Sequence, residues 1–141
     1  MPGPKIFVDT NVLVYAHDAT AGRKRDRARE VVIELWNHET GVISTQVLQE
    51  LFVSLTQKIP LPIAGRKART ILEYLCAWDV VVNDEQSVLA AIDLKAKWQL
   101  SFWDSLILEA ARRSGATILY SEDLSNGQQV GGVTIVNPFE I

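Results

Sequence analysis

The feature that most limits the fold of this chain is the regular alternation of short apolar runs with longer segments of helical spacing. Each run has only a few residues, mostly β-branched or aromatic, which suits a strand and is too short for a helix. Continuous apolar runs fit strands buried on both faces, as in a parallel sheet between layers of helices. We therefore predict an α/β fold, with a central parallel sheet of four to five short strands flanked by helices on both faces. The predicted strands are Lys5–Asp9, Val42–Ser44, Asp79–Val82, Ala116–Tyr120 and Val133–Val136.

Helices are predicted between these strands wherever apolar residues recur at helical spacing. In the fifth helix we expect Val88, Leu89, Ile92 and Ala96 to face the core, because they form its apolar stripe. Asn11 is suited to cap the first helix, since an Asn side chain can accept a bond from a free backbone N–H. The predicted helices are Val12–His17, Arg23–Asn37, Thr45–Gln57, Ile63–Ala77, Glu85–Trp98 and a last one from Ser101 to about Ser114.

Length and composition indicate a single globular domain, residues 1–141. The net charge of -3 excludes a uniformly basic nucleic-acid binder but allows local basic patches. Cys76 is the only cysteine, which excludes an intrachain disulfide framework and a cysteine-rich zinc site, and its apolar helical surroundings predict a core position. The N-terminal M-P-G-P-K lacks a signal-peptide layout and no apolar run is long enough to span a membrane, so we expect a cytoplasmic protein.

Three carboxylates fall near the carboxyl edge of the predicted sheet. Asp9 and Asp123 directly follow buried strands, and Glu50 lies in the second turn of the helix after the second strand. In open α/β sheets that edge is where ligands bind. A fourth carboxylate, Asp104, opens the helix that precedes the fourth strand. A helix that precedes a strand should start at the opposite edge of the sheet. Asp104 would then not meet the other three carboxylates unless its helix is long or tilted across the sheet.

Each of these carboxylates also has a purely structural interpretation. Asp9 could cap a helix, and Asp123 could begin a turn. Asp104 forms an S-x-x-D pattern with Ser101, which is typical of a capping box. Glu50 borders the apolar stripe of its helix, where a solvated charge is common.

Convergence of the four carboxylates would point to a divalent metal. Clustered carboxylates repel each other and lose hydration, and a cation relieves both costs. Mg²⁺ or Mn²⁺ prefers a few hard carboxylate oxygens plus water. Two such ions ~3.5–4 Å apart can activate a water and stabilise the leaving oxygen in phosphodiester cleavage. His17 and His38 have no spacing that suggests a competing metal or nucleophile site.

Four segments, in this order, resemble the PIN domain and more narrowly the VapC toxins of bacterial type II toxin–antitoxin systems. They are I-F-V-D-T-N (6–11), S-T-Q-V-L-Q-E-L (44–51), S-F-W-D-S-L-I (101–107) and I-L-Y-S-E-D-L (118–124). The closing segment G-G-V-T-I-V-N-P-F (131–139) is similar as well. Each motif alone is weak evidence, whereas the ordered set covers essentially the whole chain and is specific.

The resemblance implies a PIN fold, Mg²⁺- or Mn²⁺-dependent endoribonuclease activity on RNA, a homodimer, and inhibition by a VapB-type antitoxin. It also implies that the helix of Asp104 crosses the sheet and brings this residue to the cleft. Asn11 and Ser121 match polar positions that support the acidic site, while the role of the loop 125–130 stays open. The catalytic and metal-binding residues implied by the resemblance are Asp9, Glu50, Asp104 and Asp123.

Two basic clusters offer candidate contacts for RNA phosphates. The first also carries Asp26 and Glu30, so a solvated helix face explains it equally well. Trp103 has a ring that could stack on a base, but we predict that it is a core aromatic at the start of an apolar helix. The clusters are Arg23, Lys24, Arg25, Arg27 and Arg29 in one helix, and Arg66, Lys67 and Arg69 in another.

Three classes of function are compatible with these patterns. The leading one is a metal-dependent ribonuclease that acts as a toxin. The second is a PIN ribonuclease in RNA processing, which would lack an antitoxin reading frame beside its gene. The third is a module that binds RNA or protein without cutting. Four clustered carboxylates argue against the third class, because a binder of phosphate gains nothing from them.

Overall fold

Six strands form one sheet in the part of the chain that the structure describes, residues 3–140 of a computed structural model. Their spatial order is β3-β2-β1-β4-β6-β5, and every neighbouring pair except β5 with β6 is parallel. Met1, Pro2 and Ile141, which belong to the predicted domain 1–141, lie outside the described residues. The strands are β1 (Ile6–Val8), β2 (Gly41–Ser44), β3 (Asp79–Val81), β4 (Ile118–Tyr120), β5 (Gln129–Val130) and β6 (Val133–Val136).

The predicted α/β fold with a mainly parallel sheet is confirmed, but the predicted count of four to five strands misses β5. This strand lies at the end of the segment 125–130 and pairs antiparallel with β6. Gly131 and Gly132 make the turn between them with φ values of 56° and 83°, a conformation that favours glycine. A strand of two residues shows no measurable alternation, so the sequence pattern could not predict it.

Six helices connect the strands, and their bounds differ from the predicted ones by a few residues at most, with one exception. The predicted helix Thr45–Gln57 ends as a regular α-helix at Val53 and continues as a π-helical turn, Ser54–Lys58. The helices are α1 (Thr10–His17), α2 (Arg23–His38), α3 (Thr45–Val53), α4 (Gly65–Leu75), α5 (Glu85–Trp98) and α6 (Phe102–Ser114).

The central strands form the middle of the core. Phe7, Val8, Ile43 and Leu119 are fully buried, as expected for strands covered on both faces. Helix α1 contacts α2 and α3, and α3 contacts α4, whereas α5 packs on α6. Helix α6 contacts β2, β3, β4 and β6, so it crosses the sheet instead of running along one strand. This crossing removes the topological difficulty that the sequence raised for Asp104.

The predicted inward face of α5 is wrong. Val88, Leu89 and Ile92 are 40%, 56% and 48% exposed, and Ala96 is exposed as well. Ser87 and Ala91 are the buried residues of this helix. The side of α5 that meets α6 carries small residues, because two helices in close contact leave little room for side chains. Apolar spacing alone therefore selected the wrong side of this helix.

The predicted core position of Cys76 is also wrong, because its side chain is exposed. Cys76 is the C-cap residue of α4, and its backbone N–H bonds to carbonyls of the last turn. The buried positions of α4 are Ala68 and Leu75, and the residue after Leu75 is turned about 100° away from that face.

Candidate active site

An open cleft of about 540 Å³ lies beyond the carboxyl ends of β1 and β4. The strand order reverses between β1 and β4. From β1 the chain continues to β2 and β3 on one side of the sheet, and it returns to the other side of β1 with β4. Crevices at such switch points are the usual ligand sites of open α/β sheets. The four carboxylates predicted from the sequence, Asp9, Glu50, Asp104 and Asp123, all line this cleft.

Asp9 is the buried member of the set, with 6% of its surface exposed. It is the N-cap of α1, a position that the sequence had suggested for Asn11, and its Oδ1 accepts from the backbone N–H of Thr10 at 2.8 Å. The hydroxyl of Ser121 donates to the other oxygen, Oδ2, at 2.8 Å. Asp9 thus combines the structural role of a cap with a place in the cleft.

Burial raises the pKa of Asp9 from 3.8 to about 6. The hydrogen bonds from Ser121 and Thr10 oppose this change by lowering the pKa, while the nearby carboxylates of Asp123 and Glu50 raise it further. Repulsion among the carboxylates, which the sequence argument anticipated, therefore acts on Asp9, although loss of hydration has the larger effect.

Glu50 is tied to the same region through Thr10. The Thr10 hydroxyl donates to Oε1 of Glu50 at 2.8 Å, so one residue contacts two of the acidic side chains, one through its backbone and one through its side chain. Thr10 was not among the residues predicted for the site. Its position between Asp9 and Asn11, at the junction of strand and helix, was the only signal that could have indicated it.

Asn11 and Ser121 each donate a hydrogen bond to one of the cleft carboxylates. Asn11 Nδ2 donates to Oδ2 of Asp123 at 2.8 Å, and Asn11 Oδ1 accepts from the backbone N–H of Glu122 at 3.4 Å. The Ser121 hydroxyl, which donates to Asp9, also accepts from the backbone N–H of Asp123 at 3.2 Å. These two residues therefore hold the loop after β4 against the start of α1.

Asp104 lies in the first turn of α6 and reaches the cleft because that helix crosses the sheet. Its backbone N–H donates to Ser101 Oγ at 3.0 Å, which is the first half of a capping box. The second half is missing: among the hydrogen bonds of residues 3–140, the Asp104 carboxylate accepts none from Ser101 or from any other group. Capping therefore explains Ser101 but leaves the Asp104 carboxylate without a structural partner.

The cleft donors are carboxylate oxygens, the ligand type that Mg²⁺ and Mn²⁺ prefer. Among the described residues, no three acidic, histidine or cysteine side chains lie close enough together to hold a metal ion without further ligands. Mg²⁺ usually keeps several waters and takes only one or two protein carboxylates directly. Oxygen donors spread over an open cleft match that preference, and they match zinc, which favours nitrogen and sulfur, poorly.

The first basic cluster is largely used inside the protein. Lys24 pairs with Glu122 at 2.6 Å, Arg27 donates to the carbonyl of Pro138, and Arg29 donates to the carbonyl of Ala16. These contacts support the structural interpretation of this cluster. Tyr15, which lines the cleft, also donates to Glu122 at 2.6 Å, so this network borders the acidic site.

The two basic clusters approach each other at the end of α1. Burial lowers the pKa of His17, and the charges of Arg29, Lys67 and Arg25 lower it further. Arg29 and Arg25 belong to the first cluster and Lys67 to the second. Side chains of both clusters therefore lie near His17, at the end of α1 opposite Asp9.

The prediction that Trp103 is a core aromatic is wrong. The residue is 62% exposed and lines the cleft beside Asp104. The buried face of α6 begins at Ser105, and Trp103 precedes it in the first turn, on the side that faces away from the core. Apolar composition at the start of a helix did not reveal which side of that turn would be covered.

Fold and cleft together define an α/β protein with a carboxylate-lined site at the switch point of a mainly parallel sheet. The model of the PIN domain family matches residues 6–125, and the chain belongs to that family. No curated protein sequence matches the chain.

In residues 3–140, no helix has both the length and the apolar character needed to cross a membrane.

Solved structures with this fold include several toxin and toxin–antitoxin proteins. A toxin–antitoxin complex from Klebsiella pneumoniae has a TM-score of 0.70 at 20% identity and covers 97% of this chain and 100% of that chain. Mycobacterium tuberculosis VapC20, a toxin that cleaves the Sarcin-Ricin loop, has a TM-score of 0.65 at 20% identity and covers 84% and 90%. DNA-bound VapBC from Salmonella typhimurium has a TM-score of 0.64 at 18% identity and covers 94% and 97%. At identities this low, these similarities show a shared fold and nothing more.

Proposed function

We propose that this protein is a metal-dependent endoribonuclease of the VapC type, a toxin that a VapB-like antitoxin holds inactive. The observation that carries the proposal is the convergence of Asp9, Glu50, Asp104 and Asp123 on one cleft of a PIN domain. Several of the solved structures with this fold are VapC or VapBC proteins, which supports the toxin class over a ribonuclease of RNA processing.

The residues that would hold Mg²⁺ or Mn²⁺ are the four cleft carboxylates, directly or through water. When bound, the metal would supply an activated water and stabilise the charge that develops on the leaving oxygen. The remaining polar groups orient these carboxylates: Thr10 contacts Asp9 and Glu50, Ser121 contacts Asp9, and Asn11 contacts Asp123. Fixed outer groups of this kind sharpen metal affinity by holding ligand oxygens in one orientation.

RNA is the proposed substrate, and the cleft offers one basic group for its phosphates. Among the cleft-lining residues of the described chain, Lys58 alone is basic, and it lies at the end of the π-helical turn. None of the ion pairs within residues 3–140 involves Lys58. An unpaired ammonium group beside an acidic metal site can contact a phosphate without disturbing the metal ligands.

The antitoxin is proposed to insert a basic side chain into this cleft. An Arg or Lys can replace the metal charge and pair with carboxylates, and a bidentate Arg is especially suited to this. The apolar cleft residues Val14, Val53 and Ile107 offer room for an apolar anchor next to that charge. Replacing the inserted basic residue with Ala should restore RNA cleavage while the complex still forms. Cleavage that stays fully blocked would indicate steric occlusion instead of charge replacement.

A homodimer is proposed from the family resemblance, and the exposed face of α5 is a candidate for its interface. Val88, Leu89 and Ile92 leave this face apolar. Leu89→Glu would then shift the sedimentation coefficient from dimer to monomer, because a buried unpaired charge opposes association. An unchanged sedimentation coefficient would exclude this face from the interface.

Cleavage of RNA by the purified protein tests the proposed function directly. We expect cleavage with Mg²⁺ or Mn²⁺ and none with EDTA. Asp9→Asn should abolish the activity, while Glu73→Gln, an exposed carboxylate on α4 that does not line the cleft, should retain it. Equal cleavage in EDTA and in Mg²⁺ would contradict a metal mechanism, and equal cleavage by the Asp9→Asn protein would point to a contaminating ribonuclease.

A further inference from the structure

Trp103 exposes its indole at the side of the acidic cleft. It lines the cleft next to Asp104, and 62% of its surface is exposed. Single exposed aromatic residues are common on protein surfaces, so exposure by itself indicates no role. Tyr74 is even more exposed, at 69%, but does not line the cleft. What distinguishes Trp103 is that its exposed ring is adjacent in sequence and in space to a candidate catalytic carboxylate.

Two contacts hold Trp103 in place. Gln46, which is 95% buried, donates from Nε2 to the backbone carbonyl of Trp103 at 3.2 Å. The ring of Phe102 meets the Trp103 ring edge to face, with centroids 5.3 Å apart and an angle of 72°. The backbone is thus anchored by a buried side chain, while most of the indole surface stays free. A ring that is already held loses little conformational entropy when a ligand packs on it.

The charges of the cleft decide which part of an RNA chain suits this ring. A carboxylate repels a phosphate unless a cation lies between them. Asp104, which follows Trp103 in the sequence and also lines the cleft, carries such a carboxylate. A nucleobase carries no net charge and has a flat π-face, which stacks well on an indole. The indole therefore complements a base, while the metal and Lys58 complement the phosphates.

We propose that Trp103 stacks on an unpaired nucleobase of the RNA, next to the bond that is cut. The proposal rests on the ribonuclease function proposed above. In an A-form duplex the bases stack on each other and their faces are inaccessible to a side chain. The indole can therefore stack only on a base whose face is free.

Binding by a cleavage-deficient protein separates stacking from chemistry. The Asp9→Asn chain would be titrated in Mg²⁺ with a labelled oligo-adenylate and with a strand of equal length made of abasic tetrahydrofuran units. Adding Trp103→Ala should weaken oligo-adenylate binding by about ten-fold or more and leave abasic binding unchanged. Trp103→Phe, which keeps an aromatic face, should retain most of the affinity. Tyr74→Ala serves as the matched control and should bind both strands like its parent.

Kinetics on cleavable RNA give a second readout. In the otherwise unmodified chain, Trp103→Ala should raise KM for a single-stranded substrate by a similar factor and change kcat by no more than about two-fold, because a stacking contact made equally before and during reaction affects binding alone. A melting temperature equal to the wild-type value would show that the variant is folded, as expected for an exposed residue.

Equal affinity of the parent and the Trp103→Ala protein for oligo-adenylate would overturn the proposal, and so would an equal loss on the abasic strand. The exposed indole would then serve a protein surface or the fold. Failure of the ribonuclease function gives a different result, since the wild-type chain would cleave no RNA in Mg²⁺ or Mn²⁺ whatever the binding data show.

Discussion

Asp9 and Asp104 line the same cleft but are held in opposite ways. Asp9 is buried at the end of the central strand, and both of its oxygens accept hydrogen bonds. Asp104 is half-buried at the start of a crossing helix, and its carboxylate has no hydrogen-bond partner among the described residues. One side of the site is therefore preorganised by the protein, whereas the other is left for a ligand to complete.

The largest expected effect is a loss of RNA cleavage, and substitution of either Asp9 or Asp104 should cause it. Asp9→Asn and Asp104→Asn should each lower the rate of RNA cleavage by about a thousand-fold or more, since each removes a charge that would stabilise the metal and the transition state. The stability of Asp104→Asn should stay near that of the wild type, because the Asp104 carboxylate accepts no hydrogen bond among the described residues. Thermal unfolding in EDTA should leave Asp104→Asn within about 0.5 kcal/mol of the wild type. A large loss of stability in Asp104→Asn would show that this residue is structural.

The next effect is on the pH dependence of stability in metal-free protein, and only Asp9 should show it. Its pKa is raised to about 6 in the folded protein, chiefly by burial, so the folded state binds this proton more tightly than the unfolded state does. The wild type should therefore lose up to about 3 kcal/mol as the pH rises from about 4 to about 6 and above.

Asp9→Asn removes this loss, because an Asn does not ionise. In EDTA the variant should be as stable as the wild type or more stable at pH 7, and the difference should disappear near pH 4. Urea unfolding of both proteins at several pH values measures this. A variant that is much less stable at pH 7 would mean that the cap formed by Asp9 outweighs its unfavourable burial.

A smaller effect is expected from the groups that orient the buried side of the site. Ser121→Ala removes the hydrogen bond that lowers the pKa of Asp9, so Asp9 would ionise at higher pH. We expect a ~10–100-fold loss of cleavage near pH 6, with partial recovery at pH 8. Thr10→Val, which frees Glu50 and leaves the backbone bond to Asp9 intact, should lose activity without that pH shift. Identical pH–rate profiles for Ser121→Ala and the wild type would contradict this role of Ser121.

The smallest effect is expected at Lys58, on the exposed rim of the cleft. Lys58→Ala should weaken RNA binding modestly and reduce the slope of log K against log salt by about 1, as expected for the loss of one phosphate contact. Arg69→Ala removes an exposed cation that pairs with Glu73 on α4 and should leave the slope unchanged. Equal slopes for wild type and Lys58→Ala would place the RNA backbone elsewhere.

Sequence patterns predicted most of the local structure, and the four carboxylates selected from the sequence all line the cleft. The runs ending in Asp9 and in Tyr120 became neighbouring parallel strands, and the bounds of the helix Glu85–Trp98 were correct at both ends. Asn11 and Ser121 were associated with the site by their resemblance to the PIN pattern, and both contact its carboxylates. The strands and helices depend on local propensities that a single sequence displays, whereas Asn11 and Ser121 were associated with the site only through the family resemblance.

Tertiary structure decided the features that depend on what packs against what. Asp104 reaches the cleft only because α6 crosses four strands, and Thr10 joins Asp9 to Glu50 only because α1 and α3 are neighbours. Apolar spacing could not show that Trp103 faces outward or that α5 turns Ala91, and not Leu89, toward its partner helix. Helical spacing defines which residues share a face, whereas the neighbouring elements determine which face is buried.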